Sequence, residues 1–511
     1  MSQNDQPTLE GLTASDAFNV IGTLVDLAAD TGNLKLAEYA LELSNELEAR
    51  GISDAEASLL DYFRANAWSC RYDRRHQEGD RVWDFEQEEL QQTIFFLRRA
   101  AHGPGFSELD ALRRCQILTN LGNQFDALGR FIEARACFSS ALLIDPNFWM
   151  ARANRGRSFD FFSFVLYDGG HRAVFAYHAH QDLARAVKTI PSYPHLGDRR
   201  LKSVFKKSAD QIASRIDIRS MRRSYKPDAW PLGKSSKEQR YRRWCLEHTL
   251  FLNPLNDAVQ QSIAAQDVLC LPDFVVSTRE PPSVIGMFNE LKQLFCSARW
   301  LLWEGLYTNR PHFSDRGVVL LNTLDYAAYG ISVEKCKISF RLGYSIFDKV
   351  AFFLNQYFKL GIADRDVSFR SVWREKRSEQ LREPLANSRN WPLRGLYWLS
   401  KDLFEKGVRD TTEPDARNLA DLRNHLEHKY VKVLEISLPD HLLDRNFHDT
   451  SAYHIDQEEL ERKTLRLLQL ARSALVYLAM AMHIEERRRD EGREGLSFPM
   501  LLDTLPDDWK R

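Results

Sequence analysis

The run Arg423-Asn424-His425-Leu426-Glu427-His428-Lys429-Tyr430 has the form Arg-x4-His-x-Tyr, with a polar residue directly after the arginine. An arginine can clamp a phosphate through two parallel hydrogen bonds, and a histidine titrates near neutrality and can move a proton. Those two groups suffice for metal-free cleavage of RNA, whose own 2′-hydroxyl supplies the nucleophile. Arg423 would then stabilise the phosphate, His428 would act as general base or acid, and Asn424 would orient one of them. A random Arg-x4-His on a helix is more often a surface arginine and a half-buried histidine. The added Asn424 and Tyr430 raise this run above that level. His425 lacks further ligands at helical spacing, so no metal site is expected and no cofactor is implied.

These residues need a scaffold. Leu419, Leu422, Leu426 and Val433 recur at helical spacing, which predicts a helix from Asp415 to Leu434 with the motif beside its apolar stripe. On such a helix Asn424 and His428 share a face, Arg423 and Tyr430 share another, and Arg423 and His428 lie roughly 140° apart. Further long helices are expected over Phe288–Tyr307, Lys337–Leu360, Trp391–Phe404 and Asp456–Arg489, with a short strand over Asp366–Trp373. Four or five long helices within about 200 residues imply an antiparallel bundle. Through the apolar Lys337–Leu360 helix runs a polar row, Arg341, Ser345, Asp348 and Asn355. Such a row either makes buried hydrogen bonds or lines a cleft, and Asp348 and Asn355 are the candidates to support the motif there.

Upstream, Leu118, Leu121, Gly122, Phe125, Ala134, Phe138, Ala141 and Pro146 fall at the spacing of the tetratricopeptide consensus, with Gly129 in the inter-helix turn. A weaker copy spans Ile21–Arg50, and a third, begun at Phe148-Trp149, is interrupted at Gly169-Gly170. Residues 1–195 therefore read as a tetratricopeptide-like helical region, 196–280 as a basic connector, 281–490 as the helical bundle and 491–511 as a tail. The fold class is all-α. From Asp198 to Arg243 there are fifteen Lys/Arg and five Asp/Glu, a net of +10 in a chain whose overall formal charge is −1. That block points to an anionic partner, with Lys206, Lys207, Arg222, Arg223, Arg242 and Arg243 as candidates to bind an RNA backbone, although a solvated basic face reads the same way.

Several classes are excluded. The seven cysteines are scattered and never spaced C-x2-C, which argues against a zinc knuckle or a disulfide framework. Gly233-Lys234-Ser235 looks like the end of a phosphate-binding loop, but Asp228 stands where its first glycine would have to be. His178 and His180, two apart, point to opposite sides of a helix. The polar N-terminus is unlike a signal peptide, and the longest apolar stretch, Ala474–Met482, is too short to span a membrane. A cytoplasmic protein is expected.

The motif and the order of helices resemble the HEPN superfamily over roughly 285–490, whose signature is Arg-x4-6-His with a polar residue beside the arginine. The extended form with Tyr430 is similar to the toxin half of HEPN/nucleotidyltransferase toxin–antitoxin pairs, where the tyrosine is a target for nucleotidylation. The resemblance implies a metal-independent endoribonuclease that acts as a homodimer through its C-terminal bundle. It also implies a setting in phage defence or a toxin-type stress response. The repeat region would take a protein or peptide partner and regulate the activity. The rival expectation is a non-catalytic interaction protein whose bundle dimerises.

Overall fold

A computed structural model of the chain describes residues 7–76, 83–190, 199–275, 281–308, 310–323, 327–376, 378, 380–404, 416–435, 449, 451–492 and 502–510. The expected boundaries near 195 and 280 fall at 191–198 and 276–280, outside the described residues.

The N-terminal half is built from helical hairpins: α1 (Ala14–Thr31) with α2 (Leu34–Ala49), α3 (Asp54–His76) with α4 (Glu88–His102), α5 (Ala111–Leu128) with α6 (Phe131–Ile144), and α7 (Trp149–Val165) with α8 (Gly169–Thr189). Their turns follow from local chemistry. Gly32 and Gly129 sit at left-handed φ of +67° and +86°, where a Cβ would be strained, and close α1 and α5. Gly122 lets the Phe138 ring enter the groove between α5 and α6, since a Cβ there would lie 2.5 Å from the ring. The arrangement is compatible with tetratricopeptide-like repeats. Gly169-Gly170 does not interrupt the third hairpin: the pair opens α8, whose first turn is capped by the Asp168 carboxylate accepting from the His171 amide at 2.7 Å.

The basic segment folds as α9 (Arg199–Arg215), α10 (Ile218–Ser224) and α11 (Ser236–Glu247). α9 packs on α8 through the buried Phe205, Ala209 and Ile212, and turns its charged face outward.

The C-terminal half is a bundle of α12 (Ser283–Leu306), α13 (Ile331–Phe358), α15 (Trp391–Phe404) and α17 (Gln457–Glu491), with the short α14 (Glu383–Ala386) ahead of α15. By length and composition α17 is apolar enough to cross a bilayer, but 83% of its most apolar window is buried within the fold, where it forms the central helix. Two of the expected elements differ. Residues 366–373 make no strand: a 3-10 turn at Asp364–Asp366 is followed by turns in which the Ser368 and Ser371 side chains bond each other and nearby backbone. The motif helix, α16 (Ala416–His428), stops six residues before Leu434. Its alternating continuation Tyr430-Val431-Lys432-Val433-Leu434 is β1 (Tyr430–Leu434), paired in parallel with β2 (Ala452–Asp456). β-branched residues at every second position favour the pleated form over another helical turn. The fold remains all-α apart from this two-stranded element.

One apolar core is continuous from Tyr62 to Met482 and so spans both halves. The contact is close. A Cβ on Gly129 would lie 2.1 Å from the Trp391 carbonyl oxygen, and one on Gly395 would lie 2.2 Å from the Gly129 oxygen, so backbone meets backbone there. Phe131 stacks on Trp391 at 5.0 Å, and the Trp391 indole donates to the Asp126 carbonyl at 2.9 Å. Within this interface Asp402 of α15 accepts from Arg98 at 2.8 and 3.2 Å and from Arg130, with all three side chains buried.

Candidate active site

α16 is held by its leucines. Leu419, Leu422 and Leu426 are buried and face α13 and α15, which leaves the other side of the helix for the motif. Every helix ends with carbonyls that lack an intrahelical donor. Here the Leu426 carbonyl receives Arg341 of α13, whose Nε also lies 4.0 Å from Glu427. The Lys429 amide closes the last turn on the His425 carbonyl at 3.0 Å. The chain then enters β1, flanked on one side by β2 and on the other by Ala327 and Ala328, whose amide donates to the Val433 carbonyl at 2.7 Å.

The motif residues take different positions. Arg423 is half-buried, with its guanidinium 5.5 Å from the centre of the Tyr344 ring and one N–H on the Asn424 side-chain oxygen at 3.3 Å. Asn424 thus orients the arginine. His428 is exposed at the end of the helix, and its ring makes no hydrogen bond among the described residues. His425 is structural: its ring lies against Tyr453 at 4.8 Å and bonds the Asp421 carbonyl at 2.7 Å.

Tyr430 is exposed, but it shares no helix face with Arg423 because it begins a strand. Its hydroxyl bonds that of Tyr329, and the Lys432 ammonium lies 5.6 Å from its ring. Desolvation and the Tyr329 hydroxyl push the Tyr430 phenol above its ordinary range, and Lys432 opposes them. The alternation of β1 puts Tyr430 and Lys432 on one face.

α13 supplies the floor. Asp348 is mostly buried, and burial raises its carboxyl above the usual range, opposed by the Phe369 amide at 3.4 Å and the nearby positive charge of Arg423. Asn355 does not join the group: its amide is spent on the carbonyl and N–H of Ile362, at 2.9 and 3.1 Å, closing the turn after α13. Buried polar groups must find partners, and the row Arg341-Ser345-Asp348-Asn355 divides between the two readings that its spacing allowed. Arg341, Tyr344 and Asp348 lie under the motif, Ser345 bonds the Leu342 carbonyl, and Asn355 holds a loop. The sequence pattern passed over Tyr344, which reads as one more apolar residue, and Tyr329, which only the strand pairing brings near.

The six basic candidates are spread over three helices. Lys206 and Lys207 lie on the exposed face of α9, Arg222 and Arg223 are exposed on α10, and Arg243 is exposed on α11. Arg242 is engaged by Glu238 at 3.1 Å and the Ala265 carbonyl at 2.9 Å. Among the described residues no three His, Cys, Asp or Glu side chains are grouped to hold a metal.

A helical bundle that displays Arg-x4-His at the end of a short helix is the arrangement of a HEPN domain. Residues 275–485 match the family model of LA2681-like HEPN, and this part of the chain is a HEPN domain. Neither a curated protein nor a solved structure matches the chain. The HEPN domain points to a nuclease or RNA-related role.

Proposed function

We propose that the protein is a metal-independent endoribonuclease of HEPN type. The observation that carries the reading is the pairing of a half-buried Arg423, steadied by Asn424 and backed by Tyr344 and Asp348, with an exposed His428 one turn further on. Arg423 stabilises the charge that develops on the phosphate. His428 takes the proton of the 2′-hydroxyl or gives one to the leaving 5′-oxygen. The bond formed joins the 2′-oxygen to phosphorus and the bond broken is to the 5′-oxygen, so the product is a 2′,3′-cyclic phosphate. Tyr430 and Tyr329 sit at the edge of the site. Lys206, Lys207, Arg222, Arg223 and Arg243 are available to the RNA backbone, and Arg242 serves the connector itself.

The reading includes a homodimer, a cytoplasmic setting in defence or stress response, and regulation through the repeat-like hairpins. In support of a dimer, the α12–α13 connection exposes an uncharged apolar run, with Val319 and Leu321 at 89% and 84% exposure. A monomer in sedimentation at micromolar concentration, with undiminished cleavage, removes the dimer from the reading.

The test is cleavage in EDTA. RNA should be cut and left with 2′,3′-cyclic ends, while DNA and RNA bearing a 2′-O-methyl at the cut site resist. Removing a positioned acid or base costs ~10²–10⁴ in rate, and His428→Ala should fall in that range, with Arg423→Ala at least as low. Wild-type cleavage by His428→Ala, or a requirement for added magnesium, refutes the assignment and leaves the interaction module.

A further inference from the structure

Away from the motif, the start of α11 and the end of α12 bring four aromatic rings together. The Trp300 and Trp303 centroids are 5.2 Å apart, Tyr241 meets them edge-on at 5.1 and 5.4 Å, and Tyr307 lies 5.3 Å from Trp303. The cluster is firmly seated. Arg299 donates to the Tyr241 hydroxyl at 2.8 Å while it grips Asp267 through two bonds of 2.8 and 2.9 Å. It is also open to solvent: Tyr307 is 55% exposed and Trp300 is half-buried. The indole N–H of Trp303 is buried and has no acceptor among the described residues.

The Lys237 ammonium stands 4.9 Å from the Trp300 centroid and 5.9 Å from that of Trp303. Glu304 is shared between Lys335 at 2.8 Å and Lys237 at 3.5 Å, and α11 adds the exposed Arg240 and Arg243. Asp267 is paired with Arg299 and Glu238 with Arg242, so Lys237, Lys335, Arg240 and Arg243 outnumber Glu304, and an anionic ligand is favoured over a cationic peptide.

We propose that Trp300, Tyr307, Trp303 and Tyr241, with Lys237, form a nucleobase-stacking site for single-stranded RNA. A base lies on the exposed face of Trp300 or Tyr307, the buried Trp303 and the half-buried Tyr241 support those rings from beneath, and Lys237 turns from the ring to the adjoining phosphate. Rings of this kind beside lysines hold successive bases whatever their sequence, because every base has a stacking face. The site rests on the ribonuclease reading and extends it. Gly305, at the end of α12, packs against Ser332 and Cys336 of α13, and Arg341, which meets the end of the motif helix, stands roughly 8–14 Å further along α13.

Fluorescence anisotropy with labelled, uncleavable 2′-O-methyl oligouridine and oligoadenosine tests this on the full chain. Trp300→Leu keeps the apolar packing and removes the stacking surface, and Tyr307→Ala alters an exposed residue. Each should weaken binding by about 5- to 100-fold for both oligomers, with Tm unchanged. Lys237→Met should lower the slope of log affinity against log salt by roughly 0.7. Binding within twofold of wild type in both aromatic variants overturns the proposal, as does preferential binding of a trimethyl-lysine peptide. If the wild type cuts RNA and those variants bind normally, the stacking site alone fails. If the wild type cuts RNA but binds no oligomer, the stacking site again fails alone; if it neither binds nor cuts, the proposal and the ribonuclease reading fail together.

Discussion

Asp402 ties the two halves of the molecule together through two buried arginines. Its carboxylate, 3% exposed, takes both terminal nitrogens of Arg98 and one of Arg130, side chains that are themselves 4% and 1% exposed. Both guanidinium groups lie over the Phe125 ring, at 4.9 and 5.0 Å, so removing the carboxylate leaves two like charges facing one another in an apolar setting. Arg130 retains Glu133 at 3.4 Å, which offsets part of the loss. Taking one partner from a buried pair costs about 3–5 kcal/mol, because the remaining charge is stranded away from water. Asp402→Ala should therefore lose about that much in guanidinium denaturation followed by circular dichroism and tryptophan fluorescence. Asp402→Asn, which keeps an acceptor, should lose about 1–3 kcal/mol. Arg98→Met combined with Asp402→Leu should recover part of the loss. A loss below about 1 kcal/mol for Asp402→Ala would mean that water reaches these ions, and the account of the interface as a dry ionic joint would be wrong.

Two other perturbations have worked-out directions. Arg341→Met removes the donor that meets the Leu426 carbonyl at the end of the motif helix. It should lower kcat by about tenfold with KM nearly unchanged, as expected when a hydrogen bond of about 1.4 kcal/mol positions a catalytic group; Arg341→Lys should restore part of the rate, and a changed KM with unchanged kcat would refute the positioning role. His483 stacks on Tyr167 at 4.0 Å and bonds the Cys270 carbonyl at 3.3 Å; burial, aided by Arg487 and opposed by that carbonyl and Asp273, lowers its pKa to about 4. The fold prefers neutral His483, so its contribution is present above the ordinary value near 6.5 and is lost as pH falls from there to about 4, at most about 3 kcal/mol. Thermal melts of wild type and His483→Phe at pH 7 and pH 4.5 check this. Equal pH dependence of the two proteins would refute it.

The parts of the molecule that the sequence discloses are those set by local periodicity. The stripes of α12, α13, α15 and α17 each follow one face or one fully apolar run, so their existence could be read directly, while α12 and α13 begin five and six residues earlier than expected. Gly122 opposite Phe138 and Gly129 in its turn were legible because each answers a purely local geometric need. Val433 misled for a physical reason: an apolar residue seven places after Leu426 fits a helical stripe as well as it fits a buried strand position. Only the pairing of β1 with 452–456, across a gap in the sequence, decides between them. Asp402 with Arg98, separated by 304 positions, leaves no local signal at all.

The same distinction explains the candidate site. Arg423 and Asn424 are neighbours on one helix, and their relation follows from the chain itself. Where His428 and Tyr430 point is fixed by three other elements: Arg341 of α13 at the Leu426 carbonyl, β2 alongside β1, and Ala328-Tyr329 on its far side. Each comes from a separate part of the HEPN domain, so the reactive end of the motif helix takes its position only when the bundle is assembled. α15, which contacts α16 directly, is buried between α17 and the helical hairpins through Gly395, Trp391 and Asp402. A change in how the hairpins seat on α15 therefore has a short path of packed side chains to the helix carrying Arg423 and His428. That path gives the regulation proposed for the repeat-like region a physical route, because both ends of it bear on one buried helix.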